Sequence, residues 1–249
     1  MTDKEVSRSP TGIEGLDSMI GGGIPRGRVV LVSGGPGTGK TTLAVQFLVN
    51  GILKYGENGI FVSLDEPQHK IFEEARILGW DLEKLCREQK LAFVDGSPYT
   101  RGHKVQRFKL GQTVGEIADS IDAKRISVDT LAALTLQYPD IVQRREVILE
   151  LFDTVSDTGA TSLITDEIRE GSARTILLEE YLADGVIRLR SSQVERRRIR
   201  TIDIDKMRGT AIDEQMRPYV LSENGLSVVS DADVFSYAAG FLLKKHYSK

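Results

Sequence analysis

RVVLVSGGPGTGKTT spans residues 28–42. It opens with a short apolar run typical of a buried strand, and from Gly34 to Thr41 it satisfies the pattern G-x-x-x-x-G-K-[ST]. Apolar residues then recur at helical spacing as far as Gly56. Glycines let the backbone wrap so that N–H groups point at phosphate oxygens, and the following helix N-terminus adds positive potential. The stretch therefore predicts a strand, a phosphate-binding loop and a helix, in that order.

This loop predicts a site for ATP and Mg²⁺. Lys40 is expected to reach the β- and γ-phosphates, and the Thr41 hydroxyl is expected to ligate the magnesium ion. The residues expected to contact the nucleotide are Gly34, Gly35, Pro36, Gly37, Thr38, Gly39, Lys40, Thr41 and Thr42. The alternative is a glycine-rich turn that matches by accident, and the strand and helix on either side argue against it.

Acidic residues end two of the predicted strands. Asp129 follows the apolar run 125–128, where a carboxylate could hold magnesium through water; the alternative is an aspartate that caps the next segment. Asp65 and Glu66 end the run 59–64, and Glu66 is the candidate base that polarises a water in line with the γ-phosphate. The alternative for this pair is a helix N-cap before Pro67.

Short apolar runs alternate with helical segments, which is typical of a parallel sheet covered by helices. We expect antiparallel strands at 186–190 and 196–205, a hairpin over 218–229 with its turn at Asn224-Gly225, and an amphipathic helix after Ser230. The polar stretch 96–112 is expected to be a long loop, followed by a helix that starts at the capping-box pair Thr113 and Glu116. The predicted organisation is one α/β domain over 1–249, with a flexible segment at 1–10 and a helical extension at 231–249.

The composition is that of a compact globular protein, with 40% hydrophobic and 28% charged residues. A formal net charge of -3 argues against general electrostatic binding of nucleic acid. Cys86 is the only cysteine, so no disulfide forms within the chain, and the three histidines lack the paired spacing of a zinc site. Since no apolar run approaches the length that crosses a bilayer, we expect a cytoplasmic protein without membrane contact.

Basic residues cluster in three places. The first cluster could bind single-stranded DNA by stacking and charge, although solvated loops of this kind are common; its residues are Tyr99, Arg101, Lys104 and Arg107. The second cluster, Arg196 to Arg200, has no face that the strand alternation assigns. In the third, Lys206 and Arg208 project the same way from a strand end and could touch phosphates, or could simply be a basic strand end before a glycine turn.

These residues together resemble the KaiC-like branch of the RecA-type ATPases, a branch that also includes archaeal RadA paralogues. The resemblance covers most of the chain and is far more specific than the phosphate loop alone. Its other elements are 11–17 with 22–25, 61–66, 126–130, 182–186, 206–210 and 222–225.

The resemblance implies a RecA-like core with a twisted central sheet, and a hexameric ring or filament in which each subunit completes its neighbour's ATP site. By analogy Glu66, next to Asp65, matches the catalytic carboxylate and Asp129 matches the magnesium-associated aspartate. Lys206 and Arg208 match a pair inserted in trans toward the γ-phosphate, where an arginine can neutralise charge developing in phosphoryl transfer.

The chain also departs from the members that it resembles. Clock-type members have two such domains and an adjacent Ser/Thr pair that is autophosphorylated, whereas one domain and no such pair are recognisable here. Recombinases carry an N-terminal DNA-binding domain that is not found in this sequence.

Two hypotheses about function follow. The first is a recombinase paralogue that binds single-stranded DNA and modulates recombination or repair, with a RecA-type recombinase as partner. The second is a regulatory switch whose ATP state controls its assembly with protein partners, without DNA. A narrower version of the second is an autokinase.

Overall fold

The computed structural model describes residues 6–96, 104–167, 178–194, 197–234 and 236–237, with the side chains of 104–109 and 194 outside that description. The strands are β1 Arg8–Ser9, β2 Ile24–Pro25, β3 Val29–Gly34, β4 Gly59–Ser63, β5 Leu91–Asp95, β6 Arg125–Asp129, β7 Thr161–Glu167, β8 Gly185–Val194, β9 Arg197–Met207, β10 Arg217–Ser222 and β11 Gly225–Val228. The helices are α1 Leu16–Met19, α2 Lys40–Tyr55, α3 Gln68–Ile77, α4 Leu82–Arg87, α5 Lys104–Ser120, α6 Leu131–Thr135, α7 Ile141–Asp157 and α8 Leu178–Leu182.

Nine strands form one sheet in the order β11-β10-β9-β8-β3-β7-β6-β4-β5. The six strands from β8 to β5 are parallel, and β9, β10 and β11 continue the sheet antiparallel. The central parallel strands β3, β4, β6 and β7 are almost wholly buried because helices cover both of their faces. This arrangement confirms the predicted fold class, a mostly parallel sheet flanked by helices with antiparallel strands after it.

Two hydrophobic clusters lie on opposite faces of the sheet. One packs around α2, where Phe47 and Leu48 are buried against Val30 and Val32 of β3. The other packs under α5 and α7 and includes alternate residues of the same strands, such as Leu31. Since the carboxyl ends of parallel strands meet at one edge, the residues that follow β3, β4, β6 and β7 are brought together there. We call this the carboxyl edge, and the opposite one the amino edge.

Two expectations about local structure were wrong. The stretch 96–112 is not one long loop, because α5 begins at Lys104 and Thr113 lies inside it rather than at its start. Leu110, Val114 and Ala118 are buried at a spacing of four residues, which extends the helical pattern one turn before the capping-box pair. The segment 1–10 is also not flexible throughout, since Arg8–Ser9 pairs with Ile24–Pro25.

The predicted C-terminal hairpin is present, and Ser222 pairs with Gly225, so the turn is formed by Glu223 and Asn224, one residue earlier than expected. The amide of Ser236 donates to the Asp233 carboxylate at 2.8 Å, a capping contact at the start of the predicted extension. Most of that extension, 238–249, lies outside the described residues, as does Arg196 of the second basic cluster.

Candidate functional site

The phosphate loop lies at the carboxyl edge, between β3 and α2. Gly37 and Gly39 have φ angles of 72° and 89°, a left-handed conformation that favours glycine. A Cβ built on Gly34 would lie 2.5 Å from the Leu189 carbonyl oxygen, and one on Gly39 would lie 2.8 Å from a Leu221 methyl group. Neighbouring strands therefore press on the loop so closely that only glycine fits, which holds its backbone in a fixed cradle.

Lys40, the first residue of α2, is buried behind this loop. Its Nζ donates to the carbonyl oxygens of Gly34 and Gly35 at 2.9 and 3.0 Å, and it lies 3.9 Å from a Glu167 carboxylate oxygen. Burial lowers the pKa of Lys40, while the negative charges of Glu167, Asp129 and Asp166 act in the opposite direction. A cation held by weak partners next to a glycine cradle can exchange those partners for phosphate oxygens.

Thr41 and Asp129, the two predicted magnesium residues, are in contact. The Thr41 hydroxyl donates to one Asp129 carboxylate oxygen at 2.9 Å, and the Thr165 hydroxyl donates to the other. Burial raises the pKa of Asp129, and these two hydrogen bonds oppose the rise. Hydroxyl and carboxylate oxygens are the ligands that Mg²⁺ prefers, so the donor set fits this ion.

A magnesium ion at this place would depend on few protein ligands. Within the described ranges no group of three or more His, Cys, Asp or Glu residues could hold a metal ion. Mg²⁺ in nucleotide sites commonly keeps several waters and binds one or two protein groups plus phosphates, so a single Thr41–Asp129 pair is sufficient.

Glu66 and Asp65 follow β4 at the same edge but differ in exposure. Glu66 is half-buried and Asp65 is exposed. Burial raises the pKa of Glu66, and the negative charges of Glu74 and Asp129 add to the rise. Helix α3 has Pro67 as its N-cap and no side-chain capping bond, so the predicted alternative, an acidic pair that caps this helix, is not what the structure has. Both carboxylates lie within the electrostatic reach of Asp129, and Glu66 is the less exposed of the two.

The structure does not bring Lys206 and Arg208 to the phosphate loop of their own chain. Met207 pairs with Gly185, which in turn pairs with Val30 near the start of β3, so the pair lies at the amino edge. Arg208 Nη1 is 3.6 Å from Asp184, and Lys206 Nζ donates to the Tyr181 carbonyl at 3.5 Å. Any contact of these cations with a phosphate loop must be with the loop of another subunit.

Three functional candidates at this edge escaped the sequence analysis. Thr165 binds Asp129, and the Tyr219 hydroxyl donates to the Thr38 carbonyl at 2.5 Å, which braces the loop from β10. Burial, and next the negative charge of Glu179, raise the pKa of Asp166 to about 8, so its protonated carboxyl donates to Glu179. A polar ending on β7 was visible in the sequence, but no local pattern connects Tyr219 to Thr38 over 181 positions.

The predicted DNA contacts remain predictions. Tyr99 and Arg101 lie outside the described residues, and Lys104 and Arg107 lie on α5 with side chains outside the description. In the part of the chain that the structure describes, no helix is long and apolar enough to span a membrane.

Comparison with known proteins gives a consistent set of matches. A family model described as the KaiC ATPase matches residues 9–233. The circadian clock oscillator protein KaiC of Synechococcus elongatus is 36% identical over 229 residues, which are 90% of this chain and 44% of that protein. The protein of the same name from Nostoc sp. is 37% identical over 229 residues, again 90% and 44% of the two chains.

One solved structure is similar to this chain over nearly the whole length of the solved protein. It is that of a KaiC-like protein from the hyperthermophilic archaeon Pyrococcus horikoshii, with a TM-score of 0.81, 34% identity, and coverage of 90% of this chain and 99% of the other. By contrast, the chain spans about half the length of the curated relatives it matches.

Proposed function

This chain belongs to the KaiC family of ATPases, and we propose on that premise that it binds and hydrolyses ATP with Mg²⁺, and that its ATP state controls its assembly with protein partners. The observation that carries the proposal is the contact of Thr41 with Asp129, at 2.9 Å, directly beside the buried Lys40 and its glycine cradle. Phosphate-binding and magnesium-binding groups are thus joined in one site.

Each group in the site has a task in phosphoryl transfer. The loop N–H groups and Lys40 bind the β- and γ-phosphates, and Thr42 follows on the same helix turn. Thr41 and Asp129 would hold a magnesium ion, which would neutralise charge on the phosphate oxygens. Glu66 orients the attacking water and accepts its proton, a task that its raised pKa favours.

The site is completed by a neighbouring subunit in this proposal. Lys206 and Arg208 lie at the amino edge and cannot reach the loop of their own chain. A second copy that presents its amino edge to this carboxyl edge would place two cations beside the γ-phosphate, as the resemblance implies. The chain is accordingly proposed to form a ring or filament with ATP between subunits.

We favour the assembly switch over the recombinase paralogue. The relatives named above are clock proteins and a KaiC-like protein, and none of their names refers to DNA. The net charge of -3 also gives no general attraction to nucleic acid.

The test measures ATP turnover and sedimentation of the full chain, each with and without single-stranded DNA. Slow turnover that is indifferent to DNA, with a change of oligomer size when ATP replaces ADP, supports the switch. Turnover stimulated by DNA would instead support the recombinase paralogue. Absence of turnover, together with an oligomer size that does not respond to ATP, would refute both. A mass shift of one phosphate after incubation with ATP would identify an autokinase.

Glu66→Gln tests the assigned base in the same assay, because glutamine keeps the shape but cannot accept the proton. We expect turnover to fall about 100-fold or more while ATP binding is retained. The matched control is the exposed neighbour Asp65→Asn, which removes the same charge and is expected to keep more of the turnover. Equal losses in the two variants would remove Glu66 from its role.

A further inference from the structure

The beginning of β9 lies at the carboxyl edge, next to the phosphate loop. Because β9 runs antiparallel to β8, its first residues are level with the end of β8, and Gln193 pairs with Arg198. Arg198, Arg200 and Ile202 alternate along the strand and therefore share a face. Ile202 belongs to the buried cluster around α2, so the two arginines face the side of the sheet on which the phosphate loop opens into α2.

Arg198 approaches the crest of the loop. A Cβ built on Gly37 would have one heavy atom within 4 Å, and that atom is Arg198 Nη1, at 4.0 Å. The side chain is exposed, and among the described residues it has no hydrogen bond or ion pair. Its neighbours across the ladder are neutral, since Gln193 lies opposite Arg198 and Ser191 opposite Arg200.

Arg200 stands beside the brace of the same loop. Its Nε is buried without a hydrogen-bond partner in the described part of the chain. Its positive charge acts on Tyr219, where it opposes the rise in pKa that burial causes. Tyr219 in turn donates to the Thr38 carbonyl, so Arg198 lies near the loop itself and Arg200 lies near the residue that braces it.

Two guanidinium groups repel the positive ends of the N–H groups in an adjacent phosphate loop unless an anion binds between the guanidinium groups and the loop. From this arrangement we infer that Arg198 is a further nucleotide-binding residue, which contacts the terminal phosphates of the ATP held by its own subunit. The inference rests on the proposed function and deepens it.

The assignment to the same subunit follows from the strand itself. β9 has 11 residues, so its two ends are about 30 Å apart. Arg198 stands at the end beside its own loop, and Lys206 stands at the other end, which can only serve a neighbour. One strand thus carries cations for two different nucleotide sites.

The first experiment measures the affinity of the full chain for ADP and for a non-hydrolysable ATP analogue, with Mg²⁺, by calorimetry. Arg198→Ala is expected to weaken binding of the ATP analogue about 10-fold, because a charge-assisted hydrogen bond is lost at an accessible site. Arg198→Lys keeps the charge and is expected to lose less. The control is Arg197→Ala, which removes the same charge from the adjacent residue on the opposite face and is expected to bind normally.

The possible results separate this inference from the function on which it rests. Wild-type chain that binds neither nucleotide refutes the proposed function. Wild-type chain that binds, together with normal affinity in Arg198→Ala or an equal loss in Arg197→Ala, overturns the role of Arg198 alone. Circular dichroism of each variant ensures that a loss is not one of folding.

A mixing experiment tests whether Arg198 acts within its own subunit. Arg198→Ala subunits are mixed with an excess of Lys40→Ala subunits, whose own loops are disabled but whose Arg198 is intact. Binding by the Arg198→Ala subunits stays weak if the contact is within one chain. Recovery of affinity in the mixture would show that Arg198 serves a neighbour and would overturn the assignment.

Discussion

Lys40 and Arg125 are both buried cations that contact α2, at opposite edges of the sheet. Arg125 is fully buried, and every branch of its guanidinium has a partner. Nε donates to the Glu57 carboxylate at 2.6 Å, Nη1 to the Phe47 carbonyl at 3.0 Å and Nη2 to the Pro10 carbonyl at 2.7 Å. The guanidinium also lies 4.5 Å from the centre of the Phe47 ring.

The partners of Lys40 are weaker. Its nearest carboxylate is that of Glu167, at 3.9 Å and half-exposed, and its two hydrogen bonds go to carbonyls of a loop that can bind phosphate instead. A buried cation that pairs with a buried carboxylate and has every donor satisfied is fixed and stabilises the fold. A buried cation whose hydrogen bonds go only to carbonyls of a ligand-binding loop is available to a ligand. Arg125 is therefore a charge buried for stability, and Lys40 is a charge buried for ligand binding.

Lys40→Ala should have the largest effect in the molecule, and only on function. We expect ATP turnover to fall about a thousandfold or more, because the cation that binds the β- and γ-phosphates is lost. The unfolding free energy should change by less than about 1 kcal/mol, because the ion-pair partner of Lys40, Glu167, is half-exposed and can be solvated by water. Turnover assays and urea unfolding measure the two quantities, and wild-type turnover would refute the assigned site.

Arg125→Ala should have the converse effect. Removal of the guanidinium takes the buried cationic partner from the Glu57 carboxylate, which keeps contacts with Ser9 and the half-exposed Arg26, and it takes a donor from two carbonyls. Loss of a buried partner of this kind typically destabilises by about 3–5 kcal/mol. Nucleotide affinity of the folded fraction should stay normal. The double variant Arg125→Met, Glu57→Leu should recover much of the loss, because apolar replacement of a buried ion pair is often neutral. A single variant as stable as wild type in urea would contradict the structural role.

The two cations also differ in how far sequence could predict them. Lys40 lies in a pattern of eight contiguous residues that predicts a phosphate-binding loop. Asp129 and Glu66 could be predicted as site residues because each follows a parallel strand, and parallel strands end at the same edge of the sheet. Arg125 and Glu57 are 68 positions apart, and nothing local marks the pair. The early start of α5 was missed for another reason: its first residues are mostly polar and Gly111 interrupts the sequence, so the helical spacing becomes visible only from the burial of Leu110.

A rise in pH should lower the free energy of unfolding through Asp166, a buried acid at the carboxyl edge without a strong cationic partner among the described residues. Its pKa of about 8 is above the ordinary 3.8, so the folded chain keeps a proton that the unfolded chain has released. The contribution of Asp166 to the free energy of unfolding is therefore fully present below about pH 4 and is lost as pH rises toward about 8. The slope for one proton is at most about 1.4 kcal/mol per pH unit.

Urea unfolding at several pH values measures this slope. Asp166→Asn should flatten it, because the amide can donate to Glu179 without titrating. The contribution of Glu66 and Asp129, whose pKa values are also raised, remains in both proteins. An unchanged slope in the variant would show that Asp166 does not hold the proton.

Arg26→Ala should have the smallest effect on stability. It is also the sharpest test of the comparison between Arg125 and Lys40, because Arg26 binds the same carboxylate as Arg125. Its Nη2 lies 2.6 Å from the Glu57 carboxylate, but its side chain is 44% exposed. Water can replace an exposed guanidinium, so we expect a loss of about 0.5 kcal/mol that shrinks further in high salt. Urea unfolding at low and high salt measures it beside Arg125→Ala. Equal losses in the two variants would mean that the charge on Glu57, rather than the burial of its partner, determines the loss of unfolding free energy. The contrast between Arg125 and Lys40 would then rest on charge pairing alone.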